Sequence, residues 1–243
     1  MTADDVHVWC ADLACDARVL ASLDAVLSGA ERARAQRFRA LRDHDRFVVA
    51  HGLLRYLVGA YLACDPSQVE LTQGAYGKPR IQPRAGEPPF HFSLAHSGPL
   101  AAFAFSCGTE LGVDIEQVVA RGDVAGIADR FFTAAESAAV RQLPADQVLR
   151  AFYRIWTRKE AYLKATGRGL SQPLHSVDVT YAHSAWLFYD LPLNVGSVGA
   201  LAVRRGRWRI TTWRLQPSDV TAPKWDPLSR RDPVSIETAG AAQ

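Results

Sequence analysis

The sequence predicts an α+β fold, with helices and an antiparallel strand set in each half of the chain. Period-2 alternation of apolar residues runs through residues 6–13 and 90–107, and again through HSVDVTY, SAWLFYD, GALAVRR and WRITTWRL in the second half. Between these runs, residues 28–64 and 152–170 carry apolar side chains at helical spacing. No internal repeat is strong enough to establish duplication.

Composition narrows the class. At 243 residues and 26.6 kDa, with 48% hydrophobic and 22% charged residues, the chain is an ordinary soluble globular protein with material for a sizeable core. A net charge of +3 without a basic stripe argues against nucleic acid and suits a small phosphorylated ligand or an acidic protein partner. The N-terminus, MTADDVHVW, lacks the basic and apolar regions of a signal peptide, and eighteen apolar residues never run uninterrupted. A cytoplasmic protein without membrane contact is expected. Cys10, Cys15, Cys64 and Cys107 have no CxxC or zinc spacing and read as reduced thiols.

Taken in order, VHVW opens a first strand and residues 20–27 a short helix. Ser28 can cap the next helical segment, which begins basic with Arg32, Arg34, Arg37, Arg39, Arg42 and Arg46 and turns apolar from Phe47. It is too long for one helix, so a break is expected near residues 43–45, with Gly52 and Gly59 interrupting the second part. An Arg-rich helix start is disfavoured by the helix dipole, which suggests an anionic ligand nearby. Gly74, Gly77 and Pro79 make a turn with Lys78 at its tip, and FHFSLAHSG and LAAFAFSC read as two strands joined through Ser97, Gly98 and Pro99. His91 and His96 would face opposite ways on one strand, a poor metal pair, while His96 beside the turn can donate to a phosphate. Thr133 and Glu136 have capping-box spacing.

The chemistry centres on FYRIWTRKEAYLKATGRGL, residues 152–170. Phe152, Ile155, Trp156 and Leu163 form an apolar stripe, Glu160 and Lys164 sit four apart on an adjacent face, and Gly167 or Gly169 should end the helix. A surface ion pair is the plain reading of Glu160 and Lys164. Asp114 and Glu116 in LGVDIEQV change it, because alternate residues of a strand point the same way. With Glu160 they offer three oxygen ligands to a hard cation such as magnesium, which leaves room for phosphate oxygens.

The order of Gly112-Val113-Asp114-Ile115-Glu116 and, some forty residues later, Trp156-Thr157-Arg158-Lys159-Glu160-Ala161-Tyr162-Leu163-Lys164 resembles the signature of the 4′-phosphopantetheinyl transferases. The GKP turn, FSLAHSG, and FFTAAE at residues 131–136 are similar to further motifs of that family in the same order. The likeness spans residues 6–215 and points to the monomeric, two-lobed type that activates peptide and polyketide synthetases. It implies two similar α+β lobes, residues 1–111 and 112–220, related by a pseudo-two-fold. Coenzyme A would lie in the cleft between them, and residues 221–243 would form a weakly ordered or surface-packed tail.

The implied reaction passes phosphopantetheine from coenzyme A to a serine of an apo carrier protein or carrier domain of a polyketide, peptide or fatty-acid synthase, releasing adenosine 3′,5′-bisphosphate. By the resemblance, Asp114, Glu116 and Glu160 are magnesium ligands, and Glu160 or a metal-held water is the base. Lys164 contacts the pyrophosphate, with Lys159 its neighbour in the K-E pair. Lys78 and His96 line the nucleotide and 3′-phosphate pocket, and Arg34 and Arg46 are basic positions on the first long helix. The chain departs from the family at Ala95, where serine is common, and at Glu31, where lysine is common. Acidic carrier surfaces are expected to meet residues 121–143. The competing expectations are a non-catalytic coenzyme A or carrier-binding module and another magnesium-dependent phosphoryl-transfer or hydrolytic enzyme.

Overall fold

The computed structural model describes residues 1–74, 78–82, 89–120, 122–167, 169, 173–180, 185–222, 225–226 and 234–235, the last two by backbone alone. In chain order the elements are β1 (Asp5–Asp12), α1 (Ala17–Ala25), α2 (Gly29–Ala35), α3 (Leu41–Leu62), β2 (Leu71–Gln73), β3 (Pro79–Ile81), β4 (His91–Ser97), β5 (Leu100–Ser106) and β6 (Leu111–Gln117). There follow α4 (Val124–Phe131), α5 (Ala134–Arg141), α6 (Ala145–Thr166), β7 (Trp186–Asp190), β8 (Ser197–Arg204), β9 (Arg209–Leu215), α7 (Pro217–Val220) and β10 (Val234–Ser235). The fold is mixed α+β.

Alternation on β1 sets the layers. Trp9 and Ala11 face a core shared with Phe103 and Phe105 of β5 and with Leu53 and Leu57 of α3, while Val6 and Val8 face a second core on the other side. β1 pairs antiparallel with β5 and parallel with β9, giving a five-stranded sheet in the order β10-β9-β1-β5-β4. The second core is closed by the sheet β6-β8-β7, through Val113, Ile115, Leu201 and Val203. The opposite face of β8, Ala200 and Ala202, packs with Phe152, Ile155, Tyr162 and Leu163 of α6. Helices therefore cover both outer faces of two packed sheets. Strands β4 and β6 meet at a seam bridged by serines, where Ser93 Oγ accepts from the Val113 N–H at 3.1 Å and Ser97 Oγ from that of Gln117 at 3.3 Å.

Several expectations change. The break expected at residues 43–45 falls instead between α2 and α3, and α3 then runs 22 residues through both glycines. Asp43 lies in its first turn, where the dipole favours acid. Gly52 is needed for packing, since a Cβ there would stand 2.7 Å from Leu23 Cβ. Helix α6 starts at Ala145, seven residues before the predicted apolar stripe, and ends on Gly167 in the left-handed region at φ 64°.

HSVDVTY is not a strand through residue 180; residue 181 lies outside the described residues. Side chains claim its backbone: Lys159 Nζ donates to the Leu174 and Val177 carbonyls, Arg158 to that of Val179, and Glu136 accepts the Val179 N–H. Strand β9, grouped above with residues 112–220, is hydrogen-bonded to β1. Of the expected tail, residues 234–235 pair with β9, and most of the rest lies outside the described residues, as do Gly77 and Arg121. No helix among the described residues is long and apolar enough to cross a membrane.

Candidate active site

Helix α6 lies directly on β6 because position 112 has no side chain. A Cβ on Gly112 would sit 2.1 Å from the Ala161 carbonyl oxygen and 2.4 Å from the Ala165 nitrogen. Leu111, Val113 and Ile115 fill the inter-sheet core, so Gly112, Asp114 and Glu116 take the other face, toward α6. Lys164 Nζ donates to Asp114 Oδ1 at 2.7 Å. Asp114 is 6% exposed, and its Oδ2 is buried with no hydrogen-bond partner.

The carboxylates strain against one another electrostatically. Burial pushes the Asp114 carboxyl up to about 6; Lys164 opposes this, and Glu116 and Glu160 add to it. Glu160 is likewise raised by burial, again with Lys164 opposing and Glu116 adding. Glu116 is held from the other sheet, since Ser97 Oγ donates to its Oε2 at 2.6 Å.

A cleft of about 360 Å³ opens beside this cluster, walled by Glu160 and Lys164, by Lys78, and by Ser93 and His96 of β4. Arg34 and His51 complete it from α2 and α3. Lys78 Nζ donates to the Leu111 carbonyl at 3.0 Å, and burial, aided by Arg80 and Lys164, lowers its pKa to about 8. His96 is lowered by desolvation inside the cleft and then by His51, Lys164, Arg34 and Arg46. Arg46 is thus near His96 although it pairs with Asp43 at 3.8 Å.

Lys159 requires a correction. Its ammonium is fully buried away from the cleft, 2.7 Å from Glu136 Oε2, and donates to two backbone carbonyls, so it cannot serve as a ligand contact. Trp156 is half-buried at the margin of the α6 core, edge-on to Phe131 and stacked on Phe152. His51 was not anticipated, because nothing in its local spacing marks it.

Among the described residues no group of three or more His, Cys, Asp or Glu side chains closes on a point as a preformed metal cage. Lys164 and Ser97 engage Asp114 and Glu116 instead. The donor set nonetheless fits a hard divalent cation: Asp114 and Glu160 are raised by burial and by neighbouring carboxylate charge, and one buried Asp114 oxygen has no donor.

Residues 16–108 match the family described as 4′-phosphopantetheinyl transferase, N-terminal, and residues 110–190 match the 4′-phosphopantetheinyl transferase superfamily. The 4′-phosphopantetheinyl transferase HetI of Nostoc sp. is 34% identical over 222 residues, covering 88% of this chain and 93% of that protein. The 4′-phosphopantetheinyl transferase Sfp of Bacillus subtilis is 30% identical over 166 residues, 68% of this chain and 71% of that one. A solved structure, the Thermotoga maritima holo-[acyl-carrier-protein] synthase AcpS, overlaps 40% of this chain and 64% of that one at 18% identity, with a TM-score of 0.34. With both family matches in sequence and a relative aligned over nearly its whole length, the chain belongs to the 4′-phosphopantetheinyl transferases.

Proposed function

We propose that the protein transfers 4′-phosphopantetheine from coenzyme A to a serine hydroxyl of an apo carrier protein, with magnesium held by Asp114, Glu116 and Glu160. The observation that carries this reading is the buried, unpartnered Asp114 Oδ2 beside Glu160 and Lys164 at the wall of a cation-lined cleft. When bound, magnesium would neutralise pyrophosphate charge and make phosphorus more electrophilic.

The chain's own residues supply position and fixed charge. Lys164 and Lys78 face the cleft and attract the pyrophosphate oxygens on which charge grows as the bond to the leaving adenosine 3′,5′-bisphosphate breaks. A serine hydroxyl needs a proton acceptor as its oxygen bonds to phosphorus. Glu160, raised by burial, is a stronger base than an exposed glutamate and lines the same cleft. Ser97 positions Glu116, and Gly112 positions α6.

In this reading the sheet containing β1, joined by β9, and the sheet β6-β8-β7, each with its helices, are the two lobes of one coenzyme A-binding body, acting as a monomer in the cytoplasm. Carrier domains of polyketide, peptide or fatty-acid synthases would dock along α4 and α5, where Ile127 is exposed near Arg130. The test is the intact mass of an apo carrier protein after incubation with coenzyme A, magnesium and the enzyme. A gain of one phosphopantetheine that needs magnesium and disappears with Glu160→Ala, while the variant still unfolds cooperatively, supports the reading. Coenzyme A binding without any mass gain on all three carrier classes points to a binding module.

A further inference from the structure

The N-terminal half contributes its own cation cluster to the cleft. Arg34 of α2, His51 of α3 and His96 of β4 line it, and His51, Arg34 and Arg46 all lie close enough to His96 to disfavour its protonation, as does Lys164 from α6. Behind His51 stands one carboxylate, with His51 Nδ1 3.3 Å from Glu31 Oε1. Glu31 is fixed in place: its Oε2 accepts from the Ser28 N–H at 2.9 Å, from Ser28 Oγ at 2.8 Å and from Arg55 Nε at 2.6 Å. Burial opposes its ionisation, but the hydrogen bonds from His51, Ser28 and Arg55 hold the carboxyl at about 2.

An ionised carboxylate only accepts, so the proton on the ring sits at Nδ1. A neutral His51 then has only a lone pair on Nε2, which repels an anion; a protonated His51 donates from both nitrogens. Phe47 stacks on the ring at 4.0 Å between centroids, and the Arg34 guanidinium lies 5.3 Å from the Phe47 ring, which limits the plane the imidazole can adopt. His51 lines the cleft together with Arg34, Lys78, His96, Glu160 and Lys164, with Arg55 behind Glu31, and among the described residues Glu31 is the carboxylate within hydrogen-bond reach of its ring. Arg46 is partly offset by Asp43.

We propose that Glu31 and His51 form a proton-linked dyad that selects ligands bearing a phosphomonoester, so that coenzyme A binding takes up a proton that binding of its 3′-dephospho form does not. The proposal rests on the coenzyme A reading of the cleft. Coenzyme A carries one phosphomonoester, whose second ionisation lies at about 6, so above neutrality it presents close to two negative charges to a facing imidazole. Its pyrophosphate has no proton to exchange in that range. Glu31 thus lets His51 present a positive charge that is assembled on binding rather than fixed.

The test is isothermal titration of the protein with coenzyme A and with 3′-dephospho-coenzyme A, at pH 7.5, in buffers of differing ionisation enthalpy. Wild type should take up protons with coenzyme A and not with the dephospho form. His51→Gln should lose the uptake and about tenfold of the preference for coenzyme A, the scale of one charge-assisted hydrogen bond. His51→Lys should keep the preference and lose the uptake, which a merely structural role would not produce. Wild-type binding with no proton uptake, or a His51→Gln variant that weakens both ligands equally, overturns the dyad alone. Failure of wild type to bind coenzyme A at all overturns the reading beneath it as well.

Discussion

Replacing Asp114 with asparagine should stabilise the protein while abolishing its activity, and the stabilisation should depend on pH. Asp114 is 6% exposed, and its carboxyl is raised from 3.8 to about 6, chiefly by burial. The native state therefore holds the proton more tightly than the unfolded chain does. Protonated below about pH 4, the group imposes no penalty; stability falls as pH rises through about 6, and the full cost is present above that. A shift of about two pH units corresponds to about 3 kcal/mol.

Asparagine keeps the shape and removes the charge. The attraction of Lys164, whose side chain is 32% exposed, already lowers the carboxyl from where burial alone would put it, so its loss is contained in that figure. The gain is therefore about 3 kcal/mol at pH 7.5, or about 6–12 °C in Tm for a chain of this size. It should shrink toward zero near pH 4. Thermal unfolding of both proteins in EDTA from pH 4 to 8 reads this directly, and magnesium should then raise the Tm of wild type more than that of Asp114→Asn. A variant no more stable than wild type at pH 7.5, or a Tm difference constant across the range, refutes the electrostatic reasoning.

Three further outcomes follow from packing. Gly112→Ala should push α6 off β6, costing about 1–3 kcal/mol and most of the activity, as chemical denaturation and turnover would show; wild-type activity would mean the helix can yield without moving Lys164. Lys159→Met should cost about 3–5 kcal/mol by stranding buried Glu136, with the KM for coenzyme A unchanged well below the melting temperature. A rise in that KM would return Lys159 to the ligand site. Trp156→Ala should cost about 1–2 kcal/mol, less than the ~3–5 of a fully buried tryptophan, because the ring sits at the core margin.

Much of the site is legible because it depends on short-range periodicity. Asp114 and Glu116 share a face by the period of a strand, Glu160 and Lys164 by that of a helix, and Thr133 with Glu136 forms the predicted capping box. Lys159 was misread although its spacing was informative: it lies four residues after Ile155 and seven after Phe152, within the apolar stripe. Its partner is that same Glu136, which caps α5 with one oxygen and holds the Val179 N–H with the other. HSVDVTY alternates like a strand, but its hydrogen-bonding groups are taken by side chains from helices distant in sequence. His51 and the Ser97–Glu116 bond arise where separate elements converge, and no window of sequence contains both partners.

The parallel pairing of β9 with β1 ties residue 5 to residue 209 across almost the whole chain. During synthesis, then, the first strand waits for a neighbour made some two hundred residues later, with an open sheet edge exposed meanwhile. Completing the N-terminal sheet is a late, long-range event, which favours slow folding and a need for chaperone protection in the nascent state. The chain also passes between the two sheets twice, before β6 and after β8, and the pairing of Leu111 with Val203 sets these two crossings side by side. A circular permutant opened in the exposed segment around Val195 would keep both crossings, whereas separately expressed halves would each carry an unpaired strand edge.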